Sequence, residues 1–80
     1  MYYTYVLKSK KDDRLYVGFC GDLKQRIREH NDGKVDATKN RRPLELIYYE
    51  ACNNKYDAIL REKSLKTGFG RAYLKRRISQ

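Results

Sequence analysis

Cysteine and histidine are scarce in this chain, with two of the first and one of the second. Three such ligands fall short of the four that a structural zinc site requires. Cys20 and Cys52 are also too few for a disulfide framework. They are expected to be reduced packing residues, as in a cytoplasmic protein. No run approaches the roughly twenty apolar residues of a membrane span. The N-terminal MYYTYVLKSKK contains no long apolar segment of the kind a secretory signal carries. No membrane partner is therefore expected. Repeats and low-complexity tracts are also absent.

The composition is strongly cationic. Lysine and arginine number 19 against 10 aspartates and glutamates, for a net charge of +9 over 80 residues. Residues 1–80 are expected to form one small domain with a thin core. A surplus of this size gives solubility at the least. It also suits a polyanionic partner, because each cation set against a phosphate releases condensed counterions. Together with the aromatic content it points to nucleic acid.

The residue pattern gives the order β-β-α-β-α-α. Met1 to Lys8 reads as a strand, with Tyr3, Tyr5 and Leu7 on one face and Tyr2, Thr4 and Val6 on the other. Both faces are apolar enough for a central strand covered on each side. A charged turn from Ser9 to Arg14 leads to a return strand that ends near Val17 and breaks at Gly18. Asp22 suits an N-cap, before a helix from Leu23 to Asn31. Leu23 and Ile27 form its buried stripe. Arg26 and His30 lie beside that stripe as half-sheltered boundary residues, while Lys24 and Arg28 point to solvent. Residues 31–42 form a polar loop in which Gly33 ends the helix. That loop carries the basic run Lys39, Asn40, Arg41 and Arg42, read either as solvated surface or as a phosphate contact.

Pro43 introduces a third strand, Leu44 to Glu50. Its alternation sets Leu44, Leu46 and Tyr48 against Glu45, Ile47 and Tyr49. Asn53 or Asn54 caps a second helix from Lys55 to about Thr67, ended by Gly68. Ala58, Ile59, Glu62 and Leu65 fall on one stripe, which places a carboxylate among apolar residues. Such a group needs a cation or hydrogen bonds. It can also lean outward to Lys66 one turn on. Tyr56, Leu60 and Lys63 define a competing face. A last helix from Phe69 to Ile78 is expected to pack through Phe69, Tyr73, Leu74 and Ile78. The fold class expected is α+β, with a small three-stranded, partly antiparallel sheet flanked by helices.

At this point the chain resembles the GIY-YIG nuclease superfamily, in its branch of short stand-alone bacterial proteins. Tyr3-Thr4-Tyr5 corresponds to the first half-motif and Tyr16-Val17-Gly18 to the second. DLKQRIREHN carries an arginine at Arg26, and ILREKSLKTGFGRAYLKRR carries a glutamate at Glu62. The ordered set Tyr5, Tyr16, Gly18, Arg26, His30 and Glu62 carries the resemblance across nearly the whole chain.

The resemblance implies a metal-dependent endonuclease that hydrolyses phosphodiester bonds in nucleic acid. DNA is expected ahead of RNA, with branched or damaged forms as candidate substrates in repair or recombination. Glu62 is the implied ligand for one Mg²⁺ or Mn²⁺ ion. Arg26 faces the phosphate, and Tyr5 or Tyr16 activates or orients water. His30 contacts phosphate, relays a proton, or is a hydrogen-bonded boundary residue. Gly18 lets the backbone pass close to substrate, and Lys39, Arg41 and Arg42 are the candidate nucleic-acid contacts.

The chain also departs from the family pattern. Tyr3 and Thr4 replace the glycine and isoleucine of the first half-motif. No asparagine follows Asn54, and Arg76 stands near the place where many members carry one. A binding module without catalysis is therefore the alternative function, and a protein-interaction adaptor is a third. No separate nucleic-acid-binding domain is present, so substrate choice by shape and phosphate, or through a partner protein, is expected.

Overall fold

The computed structural model describes residues 1–78. Its elements are β1 (Tyr2–Ser9), β2 (Leu15–Cys20), α1 (Leu23–Asn31), a 3₁₀ turn (Lys39–Arg41), β3 (Leu44–Cys52), α2 (Lys55–Leu65) and α3 (Gly68–Arg77). The strands form one sheet in the order β2-β1-β3. Both pairings are antiparallel. The fold class is thus α+β, with the element order read from the sequence and a sheet that is antiparallel throughout.

β1 lies in the middle and is covered on both faces, which is why Thr4 to Leu7 are all buried. Tyr5 and Leu7 pack with Leu44 against Leu23 and Ile27 of α1. Val6 packs on the opposite side with Val17, and with Leu65 of α2 and Leu74 of α3. Thr4 is buried on that second side, where its hydroxyl donates to the Ala58 carbonyl at 2.9 Å. A polar side chain in a core is tolerated when it is bonded in this way.

Several local expectations are corrected. β2 does not break at Gly18; it runs on to Cys20, because Gly18 stays in register opposite Tyr5. β3 does not alternate along its full length. A bulge opposite Val6 and Leu7 adds Ile47 to the strand, so Ile47 and Tyr48 both turn to the α2–α3 side. Gly68 does not end α2. It opens α3, whose cap is Thr67, with the Thr67 hydroxyl accepting from Gly70 N–H. Phe69 is 92% exposed instead of packed, and α3 is buried at Gly70 and Leu74 instead. Gly70 sits where α3 crosses α2, and a Cβ there would collide with the Ser64 carbonyl and Leu65 backbone.

The α2 stripe falls as the spacing placed it. Ala58 and Leu65 are buried, and Tyr56 and Leu60 face solvent. Asn54 is the cap, accepting from the N–H groups of Tyr56 and Asp57. Arg61 meets Glu50 of β3 through two nitrogens at 2.8 and 2.9 Å, and Tyr48 donates to the same carboxylate. The guanidinium holds the Glu50 carboxyl below its usual range. Arg61 also lies over the Tyr73 ring at 4.6 Å. This group ties α2 and α3 to β3.

Asn31 performs a similar task on the other face. Its side-chain oxygen accepts from Leu44 N–H at 2.8 Å and its amide donates to the Leu44 carbonyl at 3.0 Å. The end of α1 is thereby fastened to the start of β3. Asn31→Ala removes both partners from a half-buried peptide group, so a loss of about 2 kcal/mol is expected. Urea unfolding measures it, and a change within about 0.5 kcal/mol, the range of an ordinary surface substitution, would show that the link is dispensable.

Candidate active site

Four of the residues singled out from sequence converge on the α1 side of the sheet. Tyr5 and Tyr16 project from paired strands toward α1, and their ring centroids are 6.4 Å apart. His30 stands edge-on to both, at 5.7 Å from Tyr5 and 5.1 Å from Tyr16. The Tyr5 hydroxyl lies 2.9 Å from His30 Nε2. Arg26, one turn earlier on α1, reaches toward the same hydroxyl and also bonds Glu29 at 3.0 Å.

His30 is fully buried instead of half-sheltered. Position on a helical wheel placed it at a boundary, but the loop after α1 folds over it. Thr38 in that loop is buried too, and its hydroxyl lies 2.7 Å from His30 Nδ1. Both ring nitrogens therefore have partners within the protein. Thr38 was not legible as part of the cluster, because nothing in the polar run 31–42 marks which residue turns inward.

Burial, reinforced by the Arg26 charge, lowers the His30 pKa to about 4, so the ring is neutral near pH 7. Burial raises Tyr5 to about 12, against the lowering effect of the Arg26 hydrogen bond. Tyr5 is accordingly a neutral hydroxyl. Arg26 has only donors to offer, so toward it the Tyr5 oxygen can act only as an acceptor. A neutral imidazole carries one ring proton, so it donates in one of its two bonds, to Tyr5 or to Thr38, and accepts in the other.

Gly18 serves this cluster by lacking a side chain. A Cβ there would stand 2.5 Å from the Tyr5 hydroxyl oxygen and 2.7 Å from Cζ. It is buried within the strand, so its observable task is room for the Tyr5 ring.

The remaining candidates are not in contact with this group. Glu62 sits on α2, on the other side of the sheet, and is bonded to Lys66 at 2.6 Å. Its side chain is 17% exposed, while that of Lys66 is 53% exposed. Both readings of Glu62 from spacing are thus realised at once, since it lies in the stripe and leans to Lys66. The basic run is not uniform. Lys39 is exposed and 3.7 Å from Asp36. Arg42 is exposed, with Nε donating to the Lys39 carbonyl at 2.8 Å. Arg41 instead folds under the β1–β2 turn, 3.4 Å from Asp12, while its carbonyl accepts from Ser9 at 2.6 Å. Arg76 is exposed on α3.

Among the described residues no group of three or more histidines, cysteines, aspartates or glutamates could hold a metal ion. A preformed cage is therefore not the mode of binding to consider. His30 has no nitrogen to spare. Glu62 fits the other mode, in which one hard carboxylate oxygen anchors Mg²⁺ and water or phosphate completes its shell. Its partner Lys66 is an exposed cation.

Comparisons with known proteins bear on the family and the fold. The model of the GIY-YIG catalytic domain matches residues 1–80. A UPF0213 protein of Staphylococcus saprophyticus is 42% identical over 67 residues, which cover 82% of this chain and 80% of that one. A UPF0213 protein of Clostridium perfringens is also 42% identical over 67 residues, covering 82% and 71%. The solution NMR structure of the UPF0213 protein BH0048 from Bacillus halodurans superimposes with a TM-score of 0.56 at 31% identity. That match covers 92% of this chain and 82% of the other.

The pKa of His30 makes a prediction about stability. The unfolded chain takes up a proton as pH falls from about 6.5 toward 4, and the folded chain does not. Stability is therefore full above that window and falls within it, by on the order of 3 kcal/mol from this residue. Denaturant unfolding across the window should show the slope in the native chain and its loss in His30→Gln. Equal slopes would contradict a buried neutral His30. Gly18→Ala, by displacing the Tyr5 ring, is expected to cost about 1–3 kcal/mol, and a neutral result would show that the strands relax around it.

Proposed function

The chain belongs to the GIY-YIG nuclease family, and on that premise we propose that it is a Mg²⁺- or Mn²⁺-dependent endonuclease acting on DNA. The observation that carries the reading is the Tyr5 hydroxyl, held between Arg26 and His30 with the half-exposed Tyr16 beside it. A fixed hydroxyl next to a guanidinium suits a phosphodiester, whose transition state adds negative charge on the phosphoryl oxygens.

Each residue then has a task. Arg26 presents N–H donors to the phosphate and stays cationic. Tyr5 is buried and stays protonated, so it does not ionise to take the proton of the attacking water and instead positions the groups around it. Tyr16 is only half-buried and meets that water from the open side. His30 and Thr38 hold the Tyr5 hydroxyl in one rotamer. Glu62 is the carboxylate that would hold the divalent ion. When bound, such an ion supplies Lewis-acid polarisation of the phosphate and charge neutralisation of the leaving oxygen. Water oxygen adds to phosphorus, the P–O bond to the leaving nucleoside breaks, and that oxygen takes up a proton. A substrate engaging both Arg26 and Glu62 spans the margin of the sheet, since α1 and α2 lie on opposite faces. Lys39 and Arg42 are available to further phosphates, whereas Arg41 is already engaged by the turn.

The reading favours weak sequence preference. The positive charge is spread over the surface and acts on phosphates, which carry no base information. Branched or damaged DNA and a targeting partner protein both fit that economy of contacts.

The test is cleavage of linear, flap and forked DNA, and of RNA, with Mg²⁺ or with chelator. Cleavage is expected on DNA with metal only. Arg26→Ala should lower the rate by about 10²–10³-fold, and Glu62→Gln should abolish metal-dependent cleavage. Activity that survives chelator, or survives Glu62→Gln, contradicts the reading. Salt-sensitive DNA binding with no cleavage of any substrate identifies a binding module instead.

A further inference from the structure

The side of the sheet away from Tyr5 and His30 carries an open groove of about 720 Å³. α2 and α3 cover only part of that face. Leu15, Val17, Ile47, Leu65, Leu74 and Ile78 make its floor and walls. Leu15 is 44% exposed there, a large apolar side chain left in water on an edge strand. Lys8, Arg14, Lys66, Arg71 and Lys75 stand around it, with Asp13 as the one acidic lining residue. Glu62 neutralises Lys66, which leaves four cations against one carboxylate. The site of the proposed cleavage uses none of these groove residues except Tyr16, whose ring turns to the other face.

We infer that this groove docks an acidic amphipathic segment of a partner protein, with apolar side chains at helical spacing on the floor and carboxylates toward the rim. Charge and floor chemistry choose this occupant. A second copy of the chain brings another +9 against an already cationic rim, and like charges oppose that pairing. A nucleic-acid strand satisfies the rim but not the floor. Single strands are held by bases stacked on aromatic rings, and this floor is aliphatic. An apolar helix face flanked by carboxylates matches both, in the helix-in-groove mode of recognition. Such a partner would leave the Tyr5 side of the sheet free, while sitting beside the Glu62–Lys66 pair on its own side.

The experiment uses the native chain labelled with ¹⁵N and a synthetic helical peptide with leucines at i, i+4 and i+7 and glutamates between them. Three probes accompany it: a scrambled peptide of the same composition, a lysine-for-glutamate peptide, and a single-stranded DNA oligomer. Saturable binding of the first peptide is expected, with amide shifts confined to the neighbourhood of Leu15, Val17, Ile47 and Leu74. Leu15→Ser, on the exposed edge, and Lys75→Glu should each weaken it about tenfold, or about 1.4 kcal/mol, and Leu15→Ser, which leaves the charge unaltered, should do so without changing DNA cleavage. Absence of saturable binding, equal binding of the scrambled peptide, or shifts elsewhere would overturn the inference. DNA moving the same amides as strongly would assign the groove to nucleic acid instead. Because cleavage is read separately, loss of nuclease activity and loss of peptide binding are distinguishable.

Discussion

His30 is buried without charge, and its two ring nitrogens are spoken for by Tyr5 at 2.9 Å and Thr38 at 2.7 Å. An imidazole in such a place is tolerated only while both hydrogen bonds are made, because an unmet polar group in the interior costs about 1–3 kcal/mol. The surrounding architecture follows from that requirement. β1 must present Tyr5 inward, β2 must leave room for its ring at Gly18, and the loop after α1 must return Thr38 to the helix. Asn31 fastens the end of α1, where that loop begins, to the start of β3 through Leu44. Rigidity at the Tyr5 hydroxyl is the consequence.

The two halves of the candidate site are held by different means. On the α1 side, buried aromatic and imidazole groups fix one another. On the α2 side, Glu62 is kept near the surface by an exposed lysine, while its neighbour Arg61 is clamped to Glu50 through two nitrogens. α2 is thus firmly registered, while the carboxylate it carries is paired only to an exposed lysine. Under the proposed function, that division suits a rigid hydroxyl beside the phosphate and a carboxylate able to take up an ion.

Much of the fold was legible because its signals are local. Capping by Asp22 and Asn54 was written in short polar residues ahead of apolar spacing, and the two-sided burial of β1 was visible in its lack of a polar face. The proximity of Tyr16, Arg26 and His30 was legible from one strand–turn–helix unit, and Tyr5 joined them through the family resemblance. What escaped depends on contacts distant in sequence. Thr38 is one polar residue among many in its loop until α1 and β3 pin the ends. The bulge at Ile47 arises from a pairing offset that alternation alone cannot reveal. The Glu50–Arg61 clamp joins residues eleven apart in different elements. Gly18 looked like a strand break because glycine usually signals one; here its missing side chain, not its backbone freedom, is what the fold uses.

The charge state and proton position of His30 decide whether the account of the cluster holds. Two-dimensional ¹H–¹⁵N correlation spectroscopy of the imidazole nitrogens, followed from neutral pH downward, reads both directly. The account predicts a single neutral tautomer, fixed by the bonds to Tyr5 and Thr38, persisting until the ring titrates at about 4. An imidazole that titrates at its ordinary value of about 6.5, or one that exchanges between two neutral tautomers at neutral pH, would contradict it.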